Sequence, residues 1–164
     1  MGRRCPQDSA RQKSLHHAAD SKDEMKPAAK KFLRIVDANY NRLKEALRVL
    51  EDFSRFFLDD PVSTREFKKL RHDLVRHLSR FPAGYAALLE ARDSAHDVGR
   101  RSWIQNGHKR PQWKELMVAN MKRGQEAARV LEEISKILSP RQSPAFQRLR
   151  FRLYELEKKS FRKF

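Results

Sequence analysis

Apolar residues recur with a helical period along most of the chain after its first thirty positions. From Phe32 onward they return every three or four residues, and the same spacing reappears in later segments. A period near 3.6 residues is typical of helices that bury one face. The sequence therefore predicts an all-α protein, with helices starting near Phe32 and over about 63–80, 85–91, 112–138 and 144–159.

Turn and cap signals separate these helices. Pro61 precedes the second one, and Ser63 or Thr64 is its predicted N-cap, because a hydroxyl oxygen accepts a bond from the first free amides. Ser139–Pro140 ends the fourth helix. Residues 92–99 are predicted to form a loop.

Residues 1–31 lack the periodicity. They are polar, and no continuous apolar stretch of the length that a signal peptide needs occurs there. We expect a disordered tail over 1–31 and one helical domain over 32–164.

An internal repeat is the most informative pattern. Ala38-Asn39-x-x-Arg42-x-x-Glu45-Ala46-x-Arg48-Val49-Leu50-Glu51 recurs 81 residues later, from Ala119 to Glu132, with nine identities. The helices that follow match as well, at an offset of 79. The chain is predicted to be a duplicated helical hairpin that closes into a four-helix-type bundle with an internal pseudo-twofold axis. Its parts are repeat 1 over about 34–80, a linker and loop over 81–111, and repeat 2 over about 112–159.

Several polar members of the repeat are predicted to face the bundle interior. At about 100° per residue, Asn39 and Arg42 share a stripe with Ala46, Val49 and Phe53, and Glu45 flanks it. Glu51 points away from that stripe. The equivalent residues of repeat 2 are Asn120, Arg123 and Glu126. One arginine from the second helix of each hairpin, Arg71 and Arg150, is also predicted to face inward.

Two interpretations of these arginines remain open. Arginine is rarely buried without a partner, and Glu45 with Glu126 compensates only two of the four. One interpretation is an Arg–Glu network that fixes hairpin packing. The other is a pocket for a polyanion, in which guanidinium groups hold phosphate oxygens. Arg48 and Arg129 are expected to form exposed pairs with nearby acidic residues of their own helices.

The loop after the third helix has no counterpart in the repeat. It holds Arg92, Asp93 and Asp97, and carboxylate oxygens suit a hard cation such as Mg²⁺. Aspartates in loops also serve as turn formers. His72 has no counterpart either, and it is expected to be solvated.

The net charge of the chain indicates the class of partner that it binds. The 164 residues carry 37 Lys and Arg against 21 Asp and Glu, for a net charge of +16. Residues 32–164 keep most of that excess, which favours an anionic partner. No apolar run is long enough for a membrane span, and one cysteine, Cys5, excludes a disulfide framework within the chain. A reducing, cytoplasmic location is expected.

The sequence resembles the small hydroxymethylpyrimidine-phosphate kinases, which occur alone or fused ahead of thiamine phosphate synthase. The two A-N-x-x-R-x-x-E-A segments with Arg92-Asp93 between them are specific features of this resemblance. The loop departs from the usual R-D-T-P-G-D-V-G, since it reads Ser94-Ala95-His96 at the centre. The segments that carry the resemblance are Arg34–Asp52, Leu70–Leu74, Ala91–Gly99, Ala119–Glu133 and Leu149–Glu157.

The resemblance implies transfer of a phosphoryl group from ATP to 4-amino-5-hydroxymethyl-2-methylpyrimidine phosphate, in the stand-alone form of the enzyme. A functional link to thiamine phosphate synthase follows from the fusions. With Mg²⁺ as cofactor, held by Asp93 and Asp97, the expected catalytic residues are Arg42, Arg123, Arg92 and Asp93. The expected substrate-binding residues are Asn39, Glu45, Arg71, Asn120, Glu126 and Arg150.

Two other classes remain, a basic helical module that binds nucleic acid and a purely structural bundle. A nucleic-acid module would place its arginines on exposed faces, so inward arginines argue against it. A structural bundle would show no turnover.

Overall fold

The computed structural model describes the backbone of residues 7–81, 84–99 and 112–161, and the side chains of these residues from Ala28 to Ser160. Its α-helices are α1 (Gln7–Phe56), α2 (Pro61–Ser79), α3 (Gly84–Ala91), α4 (Trp113–Leu138) and α5 (Ser143–Phe161), with a 3₁₀ turn at Pro140–Gln142. No strand occurs within the described ranges. The predicted all-α class is therefore confirmed.

Four helices form the bundle. Helix α1 packs against α2 and α4, α4 packs against α5, and α2 meets α5, while the short α3 lies against α1. Trp113 at the start of α4 stacks on Phe53 near the end of α1, with ring centroids 5.6 Å apart. Gly124, further along α4, faces Leu43 earlier in α1. The two long helices therefore run antiparallel.

The turn into α2 differs from its prediction. Asp60, rather than Ser63 or Thr64, is the N-cap, because its Oδ1 accepts bonds from the amides of Val62 and Ser63 at 3.0 and 3.3 Å. Asp59 has a φ of 48°, which turns the chain sharply before the cap. A carboxylate at this position also suits the partial positive charge of the helix N-terminus.

Helix α1 begins much earlier than predicted. Helical backbone is continuous from Gln7, through most of the segment expected to be a tail without regular structure. The first six residues of that segment lie outside the described ranges. The division into a tail and a domain at residue 32 stays a prediction.

The buried face of α1 is not the stripe inferred from sequence. The core of this helix runs through Val36, Tyr40, Leu43, Leu47 and Leu50, all less than 5% exposed. This face lies about 100° around the helix from the expected stripe. Part of the expected stripe is correspondingly open, since the exposed fraction of Val49 is 37% and Arg42 is also exposed. Asn39 and Ala46, on the edge of the stripe nearer the core, are buried.

Equivalent contacts recur in the two halves. The Nδ2 atom of Asn39 donates to the carbonyl of Ile35 at 2.9 Å, and that of Asn120 donates to the carbonyl of Leu116 at 2.8 Å. Both asparagines thus bond to the turn before them. This recurrence supports the predicted repeat, whose twofold superposition stays a prediction.

Candidate functional site

An open cleft of about 530 Å³ lies where α1 meets the loop after α3. We call it the first cleft. Residues between 31 and 42 of α1 line one side, and residues between 92 and 97 of the loop line the other. Five residues singled out from the sequence meet here: Asn39, Arg42, Arg92, Asp93 and Asp97.

A bidentate ion pair joins the two sides of the first cleft. The Nε and Nη2 atoms of Arg92 each donate to the Asp37 carboxylate at 2.7 Å. Asp37 is 4% exposed, and Asn41 adds a third bond to its Oδ1 at 3.2 Å. Parallel bonds of this kind fix a guanidinium plane. The hydrogen bond and negative charge of Asp37 hold the pKa of Arg92 above its ordinary value, with a smaller contribution from Tyr85.

A second bond ties the loop to α1. Arg34 Nη2 donates to the backbone carbonyl of Asp93 at 3.2 Å. Arg34 and Arg92 together hold the start of the loop against the helix, and α3 positions that start because Ala91 at its end is buried. The loop therefore has a defined place over the cleft.

The two loop aspartates each bond locally. Asp93 Oδ1 accepts from the amide and Nδ1 of His96, and Asp97 Oδ1 accepts from the amide of Gly99 at 2.9 Å. The side-chain and backbone bonds from His96 lower the pKa of Asp93. Both carboxylates remain open to solvent.

Cations outnumber anions in the first cleft. Arg42 and Lys31 form no ion pair with any described residue, and Arg34 meets only a backbone oxygen. Asp37 is neutralised by Arg92. The cleft therefore presents unpaired positive charge beside two carboxylates, which suits a phosphate group together with a divalent cation.

A group of three or more metal-ligating side chains is not found in the part of the chain that the structure describes. Mg²⁺ in phosphoryl-transfer sites usually takes one or two carboxylates and completes its shell with water and substrate phosphates. Asp93 and Asp97 supply such oxygens on the cleft wall. The donor set therefore fits Mg²⁺ bound together with a phosphate.

Two of the predicted inward arginines point inward but are neutralised. Arg71 donates from Nε to Glu51 at 2.8 Å, and Arg150 donates from Nε to Glu132 at 2.9 Å. The expectation that Glu51 points away is wrong, because α2 packs on the face where it lies. The contacts of Arg71 and Arg150 therefore agree with the first interpretation, an Arg–Glu network that fixes hairpin packing.

Burial of Glu51 alone would raise its pKa. The hydrogen bond and charge of Arg71, aided by Arg48, outweigh that effect and lower the pKa. Arg48 also contacts Asp52, and Arg129 contacts Glu132 and Glu133, as the spacing predicts.

The other two arginines do not face the bundle interior. Arg42 is exposed at the first cleft, and Arg123 is exposed on α4 outside it. Glu45 and Glu126 are exposed and form no ion pair with the described residues, so they do not compensate buried arginines. The cause is the displaced core face of α1 and its counterpart on α4. A single pocket that collects all four arginines is therefore not formed.

Asn120 is buried on α4, at 2% exposure. Its Oδ1 has no hydrogen-bond partner among the described residues. It lines neither of the clefts described here.

Residues 34–159 match the model of the ThiD2 family. The chain belongs to the ThiD2 family. It is 38% identical over 124 residues to a thiamine-phosphate synthase of Synechocystis, covering 76% of this chain and 34% of that protein. It is 35% identical over 125 residues to a thiamine-phosphate synthase of Rhodopirellula baltica, covering 74% and 32%.

This ThiD2 chain therefore spans about a third of the length of the curated relatives that it matches. No solved structure matches it. Among its described helices, none is both long and apolar enough to cross a bilayer.

Asp37 is the main site residue of this ThiD2 chain that the sequence analysis did not identify. The signal was its position beside Val36 and three residues before Tyr40, on a strongly apolar part of α1. An acid at such a position needs a cation, and Arg92 supplies it.

Proposed function

We propose that the first cleft transfers a phosphoryl group from ATP to 4-amino-5-hydroxymethyl-2-methylpyrimidine phosphate, within thiamine biosynthesis. Membership of the ThiD2 family supports the pathway. The observation that carries the reaction type is the juxtaposition of Arg92, fixed by Asp37, with unpaired Arg42 and the Asp93 and Asp97 carboxylates.

Charge neutralisation is the main requirement of this reaction. Two phosphate groups must approach each other, and phosphoryl transfer depends mostly on positioning and electrostatic stabilisation. The Nη1 group of Arg92 is not used by Asp37, and Arg42 reaches the same cleft. These two guanidinium groups are suited to hold phosphate oxygens of acceptor and donor.

The proposal includes Mg²⁺, which would supply positive charge that neutralises the donor phosphates when it is bound. Asp93 and Asp97 would hold it, because they are the carboxylates on the described wall of the cleft that Arg92 does not bind. Arg34 and Arg92 keep that loop in place through their bonds to it and to α1.

A strong general base is unnecessary. The acceptor is a phosphate monoester whose second pKa is about 6, so its attacking oxygen is already largely ionised at pH 7. The side chains of the first cleft therefore need to bind and orient this oxygen, while Asn39 at its edge offers an amide for the acceptor.

Nucleic-acid binding is the alternative function. Arg42 and Arg123 are exposed rather than inward, so the position of these arginines no longer argues against nucleic-acid binding. The paired, fixed state of Arg92 favours a small-molecule phosphate over a flexible polyanion contact.

A direct assay tests the proposal. The purified chain is incubated with Mg-ATP and the pyrimidine phosphate, and ADP release is followed together with ³¹P NMR of the diphosphate product. We expect ADP and diphosphate in equal amounts, with no release when the acceptor is omitted. The absence of diphosphate, combined with salt-sensitive binding of RNA, would instead favour the nucleic-acid function.

A further inference from the structure

A second cleft, of about 790 Å³, lies along the outer side of α2 between Arg65 and Arg76. It is separate from the first. Arg71, which lines it, is bonded to Glu51, and Glu51 lies twelve residues beyond Asn39 of the first cleft on the same helix. Twelve helical residues span about 18 Å, so one bound phosphate group cannot touch both sites.

The floor of the second cleft is rigidly built. Glu51, 5% exposed, holds Arg71 through bonds at 2.8 and 3.3 Å from Nε and Nη2. Asp73, 9% exposed, binds Arg76 and also receives Arg152 of α5 at 3.0 Å. The guanidinium group of Arg71 is therefore held in place on the floor, and Arg76, whose side chain is 67% exposed, is anchored at the edge by Asp73. Each keeps further N–H groups for a ligand.

The rim of the second cleft is cationic, and the acids beneath it, Glu51 and Asp73, are already bonded to Arg71 and Arg76. Arg65, Lys68, Lys69 and His72 are exposed and form no ion pair or hydrogen bond through their side chains with the described residues. They lie three or four residues apart, where like charges on a helix repel one another. An anion bound along this row would remove that repulsion.

The fold itself does not require these charges. At the offset of 79, the buried residues of α2 reappear in α5, with Phe67, Leu70 and Leu74 matched by Phe146, Leu149 and Leu153. Of the exposed row, only Lys69 has a cationic counterpart, Arg148. The counterparts of the row on α5 are Pro144, Gln147, Arg148, Phe151 and Glu155.

We propose that the second cleft on α2 binds a short polyphosphate chain. The row from Arg65 to Arg76 is about 16 Å long, enough for several successive phosphate groups. The fixed guanidinium of Arg71 on the floor and that of Arg76 at the edge match phosphate oxygens, and lysines on the rim add point charges. The row holds no aromatic side chain besides His72, so it lacks the stacking surface that single-stranded nucleic acids use.

This site lies outside the reaction cleft of the proposed kinase. Its ligand is recognised by its phosphates alone, and the proposal does not rest on the kinase activity. Binding, rather than turnover, is therefore the quantity to measure.

The test is a titration of the full, ¹⁵N-labelled chain with sodium tripolyphosphate at low ionic strength. We expect amide shifts concentrated at residues 65–76 and saturable. The Lys68→Gln, Lys69→Gln double variant is expected to weaken the Kd at least tenfold. The matched control, Lys158→Gln with Lys159→Gln on α5, removes the same charge from exposed positions and is expected to change it less than twofold.

Two further ligands, ATP and an oligouridylate, identify the source of the phosphates. Equal binding of ATP and tripolyphosphate would assign the site to the phosphate chain alone, and tighter binding of ATP would assign it to a nucleotide; both outcomes support the proposal. Shifts scattered over the whole surface, or equal weakening by both double variants, would overturn it. So would binding of an oligouridylate to this row when tripolyphosphate does not bind.

Discussion

Asp73 of α2 and Arg152 of α5 form an ion pair at 3.0 Å, and they are 79 residues apart, which is the offset that relates the two second helices. Positions that are equivalent in the repeat therefore contact each other. Such a contact is expected on an internal twofold axis, where equivalent helices meet. The pair joins the two hairpins with opposite charges.

Replacing Asp73 with Asn is expected to lower the free energy of unfolding by about 1–3 kcal/mol, because Arg76 and Arg152 both lose a largely buried charged acceptor. Urea denaturation at pH 7 measures the change. Glu155→Gln, at an exposed position of α5, is the control and is expected to have little effect. Equal stability of both variants would show that the pair does not hold the hairpins together.

The same carboxylate predicts a loss of stability in acid. Burial alone would raise the pKa of Asp73, but the bonds and charges of Arg76 and Arg152 lower it below its ordinary value of 3.8. Its contribution is therefore fully present above about pH 4 and is lost as pH falls through the lower folded pKa. Urea titrations from pH 6 to pH 2.5 should show a smaller decline for Asp73→Asn than for the parent chain.

Asp37→Asn is expected to reduce kcat/KM for the pyrimidine phosphate on the order of 10–100-fold, because Arg92 loses its bidentate partner and its fixed position. Steady-state kinetics measure this effect. If Asp37 acts through Arg92, the double variant Asp37→Asn, Arg92→Gln should be no worse than Arg92→Gln alone. Additive losses would show that Asp37 and Arg92 act independently. Glu90→Gln, exposed on α3, is the control.

Arg42→Ala is expected to lower kcat/KM roughly 10–150-fold, as for a lost charge-assisted phosphate contact. The melting temperature should stay nearly unchanged, because Arg42 is exposed and forms no ion pair in the described structure. Lys44 is an exposed cation on the same helix that does not line the cleft, so Lys44→Ala should leave turnover within twofold. A loss for both variants would indicate a general effect of charge.

The free hydroxymethyl alcohol is expected to react far less well than its phosphate, on the order of 10⁴-fold in kcat/KM. Without the phosphate, Arg42 stays without an anionic partner, and the alcohol needs a general base, whereas Asp93 and Asp97 are the proposed Mg²⁺ ligands. Kinetics with both acceptors at one Mg-ATP concentration test this. A ratio within tenfold would refute the arginine account of the site.

Much of the fold is readable from the sequence, because apolar periodicity reports burial. The helix predicted over about 63–80 carries Phe67, Leu70 and Leu74 at helical spacing, and all three are fully buried. The start of α1 at Gln7 was not predicted, because its first turns lack an apolar stripe.

The site was harder to predict, because it depends on which of two candidate faces of α1 is buried. Ala46 lies at the border of both candidate faces of α1, and choosing the side of Val49 placed Arg42 inside and Glu51 outside. The Asp37–Arg92 pair spans 55 residues, a distance over which no local pattern carries information. The residues of the loop, in contrast, were found because they lie next to one another in sequence.

Gly124 of α4 faces Leu43 of α1, its own equivalent at the offset of 81. At this point a leucine packs against a glycine, and at the other an acid pairs with a base, Asp73 with Arg152. Two copies of the first hairpin would bring leucine against leucine and aspartate against aspartate at these points, and two copies of the second would leave a void and oppose two arginines. The halves are consequently no longer interchangeable: each has become a specific partner for the other, and neither is a suitable partner for itself.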